Sequence, residues 1–227
     1  MLAFEDVLAQ AVKRKGSRKA IEESLPKPKS ATALANLGDD RYLSEMSRRV
    51  FRAGLKHSMV DGKWPAFEKA FKQFNVKRVA SFSDEELESL AHDKTIIRHF
   101  GKIKAVRENA RWLLDVIAEH GSVGQLIGSW PVADIVGLWT LLKKQGAQMG
   151  GQSGSRFLRM VGKDTFLMSD DVVTVMIREG VIDKTPTSQR DLKAVQHAFN
   201  QWHDESGLPM CAISRIVSYT SGDNYPL

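Results

Sequence analysis

Apolar residues recur every three or four positions along most of this chain, and this spacing is the feature that most limits its fold. At the start, Phe4, Val7, Leu8 and Ala11 fall on one face of a helix, and residues 103–117 continue the same pattern. No stretch shows the sustained alternation of apolar and polar residues that is typical of a β-strand. The sequence therefore predicts an all-α protein.

A cluster of glycines interrupts the helical pattern in the second half of the chain. Gly146 ends an apolar helix, and Gly150, Gly151 and Gly154 bracket a tight turn before a new helix opens around Ser155. Glycine is favoured where the backbone needs a positive φ or must let another group approach its amides. Because amides at a helix start bind anions, the segment predicts a hairpin that grips a nucleic-acid phosphate. An ordinary glycine-rich connection between helices is the alternative interpretation.

An acidic pair follows this hairpin at the start of the next helix. Asp170 and Asp171 come directly after Ser169, which is suited to cap that helix. A carboxylate beside DNA can stabilise positive charge developing on a sugar, or orient a water molecule. This chemistry suits hydrolysis of the N-glycosidic bond of an extruded base. Asp170 is therefore the candidate catalytic residue, and a capped helix with an acidic first turn is the alternative.

Composition and charge narrow the class of partner and cofactor. The chain has 33 Lys and Arg against 27 Asp and Glu, a net charge of +6, so an acidic partner is plausible. Cys211 is the only cysteine, and the six histidines show no metal-ligand spacing, so we expect no metal and no other cofactor. No apolar run reaches the length of a membrane span, and the N-terminus shows no cleavage-site pattern. We therefore expect a cytoplasmic protein with no membrane partner.

Three features together resemble a known family. The segment TIIRHFGKIKAVRENAR, the AGL of residues 53–55 and the spacing from the hairpin to Asp170 resemble the DNA-3-methyladenine glycosylase I group. This group belongs to the helix-hairpin-helix (HhH-GPD) DNA glycosylase superfamily. The resemblance covers about Arg48 to about Val173. It implies an all-α, two-lobed HhH-GPD glycosylase fold with a helix-hairpin-helix DNA-binding element.

The resemblance also implies a domain organisation and a function. We expect one glycosylase domain, with lobe one at about 1–60 plus 185–227 and lobe two, carrying the hairpin, at about 61–184. The implied function is base excision repair. A monofunctional enzyme would hydrolyse the N-glycosidic bond of a flipped damaged base, alkylated and 3-methyladenine-like, and leave an abasic site. The implied partner is double-stranded DNA, with no protein partner, and the protein is expected to be a monomer.

Carried over by position, the resemblance assigns site residues. The phosphate-binding hairpin comprises Gly151, Gln152, Ser153, Gly154, Ser155 and Arg156. Asp170 stands where the superfamily keeps its catalytic aspartate, while Asp171 stands where the group has a zinc-ligand histidine, so no zinc site is expected. The predicted base pocket comprises Tyr42, Glu45, Arg49 and His57. The rings available to stack on a cationic base are Trp64, Tyr42, Phe51, Trp112 and Trp139, each with a core position as the alternative.

The predicted pocket departs from the group in two places. Arg49 stands where the group has a base-recognising glutamate, and His57 stands where it has a tryptophan. Glu45, one turn before Arg49, supplies an acid on the same helix face. Two other hypotheses therefore remain open: a non-catalytic DNA-binding damage sensor, and a glycosylase for a deaminated or oxidised base.

Overall fold

The computed structural model describes residues 1–226, and the fold in this range is entirely helical. The α-helices are α1 (Phe4–Lys15), α2 (Arg18–Ser24), α3 (Ala31–Ala35), α4 (Asp39–Arg52), α5 (His57–Gly62), α6 (Trp64–Ala70), α7 (Val76–Ala80), α8 (Asp84–His92), α9 (Phe100–His120), α10 (Val123–Ser129), α11 (Ile135–Gln145), α12 (Ser153–Val161), α13 (Asp170–Arg178), α14 (Gln189–Ser206) and α15 (Met210–Tyr219). Short 3₁₀ helices cover Lys72–Phe74 and Val132–Asp134. The predicted all-α class is confirmed.

Side chains at the helix ends explain why several helices begin and stop where they do. Ser83 and Glu86 form the predicted capping box at the start of α8. Ser169 caps α13, as predicted, by accepting the N–H of Val172 at 3.3 Å. Gly162 ends α12 at a φ of 97°, a left-handed conformation that glycine adopts without steric penalty.

The chain divides into two compact units. The terminal unit contains Met1–Lys29, Pro131–Gly137 and the residues from Asp164 onward, and the central unit contains Ser30–Trp130 and Leu138–Lys163. These boundaries differ from the predicted lobes, which joined residues 1–60 to 185–227 and grouped 61–184. The difference arises because α3 and α4 pack on α10 and α9 within the central unit, while α13 packs on α15 within the terminal unit.

The core of the central unit forms around the long helix α9 and a stack of aromatic rings. Helix α9 packs against α4, α7, α8 and α10. Trp64 stacks on Phe67 and on Phe74, with ring centroids 4.9 Å and 5.4 Å apart, and Phe51 meets Phe67 edge to face at 4.5 Å. All four rings are buried. Trp64 and Phe51 are therefore core residues, and their interpretation as rings that stack on a base is corrected.

The terminal unit has its own core between α1, α13, α14 and α15. Phe166 stacks on Phe199 with centroids 4.2 Å apart, and Trp202 meets Phe199 edge to face. The carboxylate of Asp164 accepts the N–H of Met210 at 3.0 Å, at the start of α15.

Within residues 1–226 no single helix is long and apolar enough to span a membrane, although the bent pair Val123–Ser129 and Val132–Gln145 passes that test on length and composition.

Candidate DNA-binding hairpin and arginine cleft

The glycine-rich segment forms a tight hairpin between α11 and α12. Helix α11 ends where the N–H of Gly146 donates to the carbonyl of Leu142 at 2.9 Å. The loop then needs left-handed backbone at Gln148, with φ 59°, and at Gly151, with φ 58°. The N–H of Ser153 donates back to the carbonyl of Gly150 at 3.1 Å, and α12 begins.

Two polar side chains hold this hairpin against α9. The amide of Asn109 donates to the carbonyl of Ala147 at 3.1 Å and accepts the N–H of the same residue at 2.7 Å. The side chain of Gln148 donates to the carbonyl of Gly101 at 2.9 Å. Asn109 is fully buried, so these bonds fix the loop on a rigid helix. Sequence reasoning missed both residues; the available signal was an asparagine one position before Ala110 in the apolar pattern of α9.

The six predicted hairpin residues differ in exposure. Gly151 and Gln152 are exposed, and Arg156 is half-buried. Ser153, Gly154 and Ser155 are buried, and the Ser155 hydroxyl donates to the carbonyl of Gln152 at 3.2 Å. A Cβ at position 154 would lie 3.4 Å from a Leu142 methyl. This distance is an ordinary van der Waals contact, and the assignment of Gly154 to the phosphate-binding hairpin stays a prediction.

The hairpin and the end of α4 line one open cleft in the central unit. We call it the arginine cleft; its volume is about 640 Å³, and it is lined by Arg49, Arg52, Ala53, Gly54, Leu55, Lys56, His57, Gln152 and Arg156. The structure thus brings together two predicted pocket residues, Arg49 and His57, and two predicted hairpin residues, Gln152 and Arg156. Sequence spacing alone could not place these pairs side by side, because about a hundred residues separate them.

The guanidinium groups of the arginine cleft differ in their partners. Arg52 makes a bidentate contact with Asp61, in which its Nη2 donates to Oδ2 at 2.6 Å and its Nε donates to Oδ1 at 3.0 Å. Arg156 donates twice to the side-chain oxygen of Gln152, at 2.7 and 3.0 Å. The Nε of Arg49 is buried and has no hydrogen-bond partner among residues 1–226. Burial lowers the pKa of Arg49, and the charges of Arg156 and Arg52 lower it further. Arg49 is therefore a half-buried cation with one unsatisfied donor and two neighbouring cations.

A buried lysine of α9 binds the carbonyl groups at the C-terminal end of α4, beside the cleft. The ammonium of Lys102 donates to the carbonyls of Phe51, at 3.2 Å, and Ala53, at 2.6 Å, where α4 ends. A cation at this position matches the negative end of the helix dipole. Burial lowers the pKa of Lys102, and nearby Arg49 adds to this effect. The contact was not predicted, although Lys102 lies in the segment that carries the family resemblance.

Two predicted pocket residues do not line the arginine cleft. Tyr42 is fully buried, and its hydroxyl donates to the carbonyl of Leu34 at 2.8 Å, so its assignment to the pocket is corrected to the core. Glu45 is half-buried and pairs with Arg48 at 3.0 Å. The guanidinium of Arg48 lies 4.7 Å from the centroid of the Trp64 ring. Burial raises the pKa of Glu45, against the lowering effect of the nearby arginines.

The candidate catalytic aspartate belongs to the terminal unit. Asp170 is the first residue of α13 and is exposed, and its carbonyl accepts the Thr174 hydroxyl at 2.9 Å. Asp171 is half-buried, and its carboxylate packs against Gly222, where a Cβ would clash with it. The two carboxylates therefore have different surroundings. Among residues 1–226, no three His, Cys, Asp or Glu side chains lie together in a way that could hold a metal ion.

Comparison with known proteins defines first the class of fold. The chain is similar in structure to Methanocaldococcus jannaschii 8-oxoguanine DNA glycosylase, with a TM-score of 0.53 and 15% identity over 92% of this chain and 91% of that one. It is also similar to a variant of Staphylococcus aureus 3-methyladenine DNA glycosylase I, with a TM-score of 0.51 and 18% identity over 66% and 89%. These likenesses confirm the predicted all-α, helix-hairpin-helix glycosylase fold.

The sequence then gives the family. The model of the methyladenine glycosylase family matches residues 34–148, half of the chain, and the protein belongs to this family. A stretch of 65 residues is 40% identical to DNA-3-methyladenine glycosylase 1 of Escherichia coli (strain K12). That stretch is 29% of this chain and spans about a third, 35%, of the E. coli protein. The predicted resemblance to the DNA-3-methyladenine glycosylase I group is confirmed.

Proposed function

We propose that this protein is a monofunctional DNA glycosylase of base excision repair. It hydrolyses the N-glycosidic bond of a damaged base flipped out of duplex DNA, leaves an abasic site, and acts as a monomer in the cytoplasm. The observation that carries the proposal is the arginine cleft, where hairpin residues Gln152 and Arg156 meet Arg49 and His57 in a chain of the methyladenine glycosylase family.

In this function the hairpin binds the DNA backbone and the cleft takes the base. The exposed loop residues Gly151 and Gln152, together with the Arg156 cation, suit a phosphate. As the glycosidic bond breaks, its electron pair leaves with the base and positive charge develops on the sugar. The carboxylate of Asp170 stabilises that charge or orients the attacking water, whose oxygen forms the new bond to the sugar.

An alkylated base of the 3-methyladenine type is the first substrate of the proposal. Relatives of this chain are named for 3-methyladenine, and the family model is that of methyladenine glycosylases. An alkylated base that carries a positive charge is a good leaving group, so one carboxylate suffices for its release. Glu45, one turn before Arg49 on α4, pairs with Arg48 outside the arginine cleft, so the negative charge that favours a cationic base in this proposal is that of Asp170.

A glycosylase for a deaminated or oxidised base is the second candidate. The side chain of Arg49, whose Nε has no partner among residues 1–226, favours it, because a planar guanidinium offers two donors to the acceptor pair of an oxygen-bearing base edge. The same guanidinium repels a cationic base. The two candidates share the reaction and the role of Asp170, and they differ in the base that Arg49 accepts.

The proposed reaction is tested by measuring abasic-site formation on methylated duplex DNA. Asp170→Asn removes the negative charge at constant size, and we expect a loss of activity of about 100-fold or more with unchanged DNA binding. Asp171→Asn is the matched control on the same helical turn, and its activity is expected to stay within about threefold of the original, because Asp171 packs against Gly222. Equal activity of the Asp170→Asn variant would refute its catalytic role, and binding without base release on any lesion would support the damage sensor.

A panel of lesions separates the two candidate substrates. Duplexes carrying 3-methyladenine, uracil or 8-oxoguanine are compared for base release by the protein and by Arg49→Glu. If Arg49 selects an acceptor-bearing base, Arg49→Glu shifts the ratio of rates toward the cationic base by about 10-fold or more. An unchanged ratio removes Arg49 from base selection, and the duplex on which the unsubstituted protein releases its base fastest then identifies the substrate.

A further inference from the structure

The described residues that line the arginine cleft carry positive charge and no negative charge. Arg49, Arg52, Lys56 and Arg156 are cations at neutral pH, and none of the other lining residues is an aspartate or a glutamate. The cleft volume of about 640 Å³ lies within the range of about 300–1,000 Å³ that is typical of small-molecule sites. A fitting occupant is therefore an anion, or a group that becomes an anion during the reaction.

Most of this positive charge is not neutralised within the fold. Among residues 1–226, Arg52 is the lining cation that pairs with a carboxylate, that of Asp61, at 2.6 Å. Arg156 donates to the side-chain oxygen of Gln152, which carries no charge. Lys56 is exposed beside them. A ligand in the cleft therefore meets a net positive potential.

Arg49 is the cation of this set for which a negative ligand has the most to offer. Its side chain is half-buried, and its Nε has no partner among residues 1–226. Burial lowers the pKa of Arg49, and the charges of Arg156 and Arg52 lower it further. An anion beside Arg49 offsets the repulsion between these cations and supplies the missing acceptor. Arg49 is therefore the expected centre of an anion site.

Hydrolysis of an N-glycosidic bond releases either a neutral base or an anionic one. When the bond between the sugar carbon and the base nitrogen breaks, its electron pair stays on the nitrogen. A cationic alkylated base thereby becomes neutral, whereas a neutral deaminated or oxidised base becomes an anion. The attacking water gives its oxygen to the sugar carbon and, in the net reaction, a proton to the released base. A fixed cation stabilises negative charge that develops in the transition state, so the charge of the cleft matches the departure of a neutral base.

We propose that Arg49, assisted by Arg156, is a catalytic residue that stabilises the departing base as an anion, and that the substrates therefore include neutral deaminated or oxidised bases. The inference rests on the proposed function for its reaction. It adds a part in bond breaking to the selection of the base by Arg49. Because the negative charge appears only as the bond breaks, the effect is expected in the rate of base release more than in the affinity for DNA.

The dependence of the rate on the leaving base tests this role. Duplexes carry 5-fluorouracil, uracil or thymine opposite guanine, three bases of similar size whose anions decrease in stability in that order. Base release is measured in a single turnover, so that product release does not limit the rate. We expect Arg49→Gln to slow the release of uracil and thymine by about 100-fold or more, and that of 5-fluorouracil by a smaller factor, because its anion needs less stabilisation. Release of 3-methyladenine, which leaves as a neutral base, is expected to be unchanged or faster.

Two further variants separate the charge of Arg49 from its shape and from the general loss of a cation. Arg49→Lys keeps the charge but not the planar fork, and it is expected to recover part of the rate on uracil. Arg78→Gln removes an exposed arginine of α7 that does not line the cleft. It is expected to leave all rates within about threefold of the original and their ratio unchanged.

A binding measurement tests the cleft without DNA and without catalysis. Urate is planar and anionic at neutral pH, hypoxanthine is planar and neutral, and inorganic phosphate is anionic but not planar. At equal concentrations, urate is expected to raise the Tm of the protein most, and Arg49→Gln is expected to remove most of this increase. An increase with phosphate as large as that with urate would assign the cleft to a DNA phosphate and overturn the inference.

Three other outcomes also overturn it. They are an equal loss of rate on the three bases in Arg49→Gln, a Tm increase with urate no larger than that with hypoxanthine, and release of 3-methyladenine without release of any neutral base. The last outcome leaves the proposed function standing. Failure to release any base, 3-methyladenine included, contradicts the proposed function itself, and a Tm increase with urate that depends on Arg49 would then still support the anion site.

Discussion

The two ends of the arginine cleft differ in how their polar groups are satisfied. At the hairpin end, Asn109 binds both backbone polar groups of Ala147, and Arg156 donates twice to Gln152. At the α4 end, Arg49 keeps a buried Nε with no partner among residues 1–226. Satisfied polar groups fix a structure, whereas an unpaired buried cation favours a ligand that supplies acceptors. The hairpin end is therefore a rigid frame, and the α4 end is where ligand chemistry can vary.

The largest effect of a single change is expected at the hairpin end, from Asn109→Leu. The leucine keeps the size of the side chain but leaves the N–H and C=O of Ala147 without their partner. We expect the free energy of unfolding to fall by about 2–3 kcal/mol. We also expect the affinity for duplex DNA to fall, because the loop is no longer held on α9. Denaturant unfolding and DNA binding measure the two effects.

A second variant for this change is Asn109→Asp. A carboxylate still accepts the N–H of Ala147 but cannot donate to its carbonyl. We expect a loss of comparable size, about 2–3 kcal/mol, because the position is fully buried and a carboxylate oxygen would face the carbonyl of Ala147. If Asn109→Leu changes neither stability nor DNA binding, the hairpin end is not the rigid frame of the cleft.

The sequence predicted local features of the hairpin and the helix start, but it did not predict the long-range hydrogen bonds that hold the hairpin in place. The glycine cluster, the Ser169 cap and the family were readable because each depends on neighbouring residues or on a contiguous motif. Asn109 and Gln148 were missed because their partners, Ala147 and Gly101, are 38 and 47 positions away. No local pattern reports a contact over that distance.

Tyr42 shows a signal that was present in the sequence and was outweighed. It lies on the apolar face of α4 with Met46 and Val50, so helical periodicity alone already favours a core position. The resemblance drew it into the pocket as an available ring, and the structure buries it completely. For Asp170 the local signal was followed: the serine before it predicted that Asp170 begins a capped helix, and the structure places it there.

A smaller effect is expected beneath the α4 end, from Lys102→Met. The variant keeps the apolar stem but removes the donors to Phe51 and Ala53, and we expect a loss of about 1–2 kcal/mol near neutral pH. Because burial lowers the pKa of Lys102 below its ordinary value of 10.5, the unfolded chain binds the proton more tightly than the folded one. The stability that this lowered pKa contributes is present above pH 10.5 and is lost as pH falls through the folded pKa.

The pH dependence provides the check on Lys102. As pH rises toward 10.5, the original protein should gain stability relative to Lys102→Met, and the difference between their unfolding free energies is followed by denaturant titration. A difference that stays constant over that range contradicts the lowered pKa. Lys102→Arg is an informative control, because an arginine keeps donors for the two carbonyls but holds its charge across the whole range.

The smallest effect, with the opposite sign, is expected from Arg49→Gln. Removing a half-buried cation beside Arg52 and Arg156 relieves repulsion, so we expect the free energy of unfolding to rise by about 0.5–1 kcal/mol. Arg52→Gln is the matched variant. It deprives Asp61 of a bidentate partner and is expected to lower stability by about 1 kcal/mol.

Added inorganic phosphate sharpens this contrast between Arg49 and Arg52. If the Nε of Arg49 has no partner in the fold because Arg49 binds an anion or another acceptor, phosphate should raise the Tm of the original protein more than that of Arg49→Gln. It should still raise the Tm of Arg52→Gln, in which Arg49 is intact. A loss of stability in Arg49→Gln with an unchanged response to phosphate would mean that Arg49 is satisfied within the fold. The polar groups at the α4 end would then be satisfied, as they are at the hairpin end, and the selection of the base would depend on other residues.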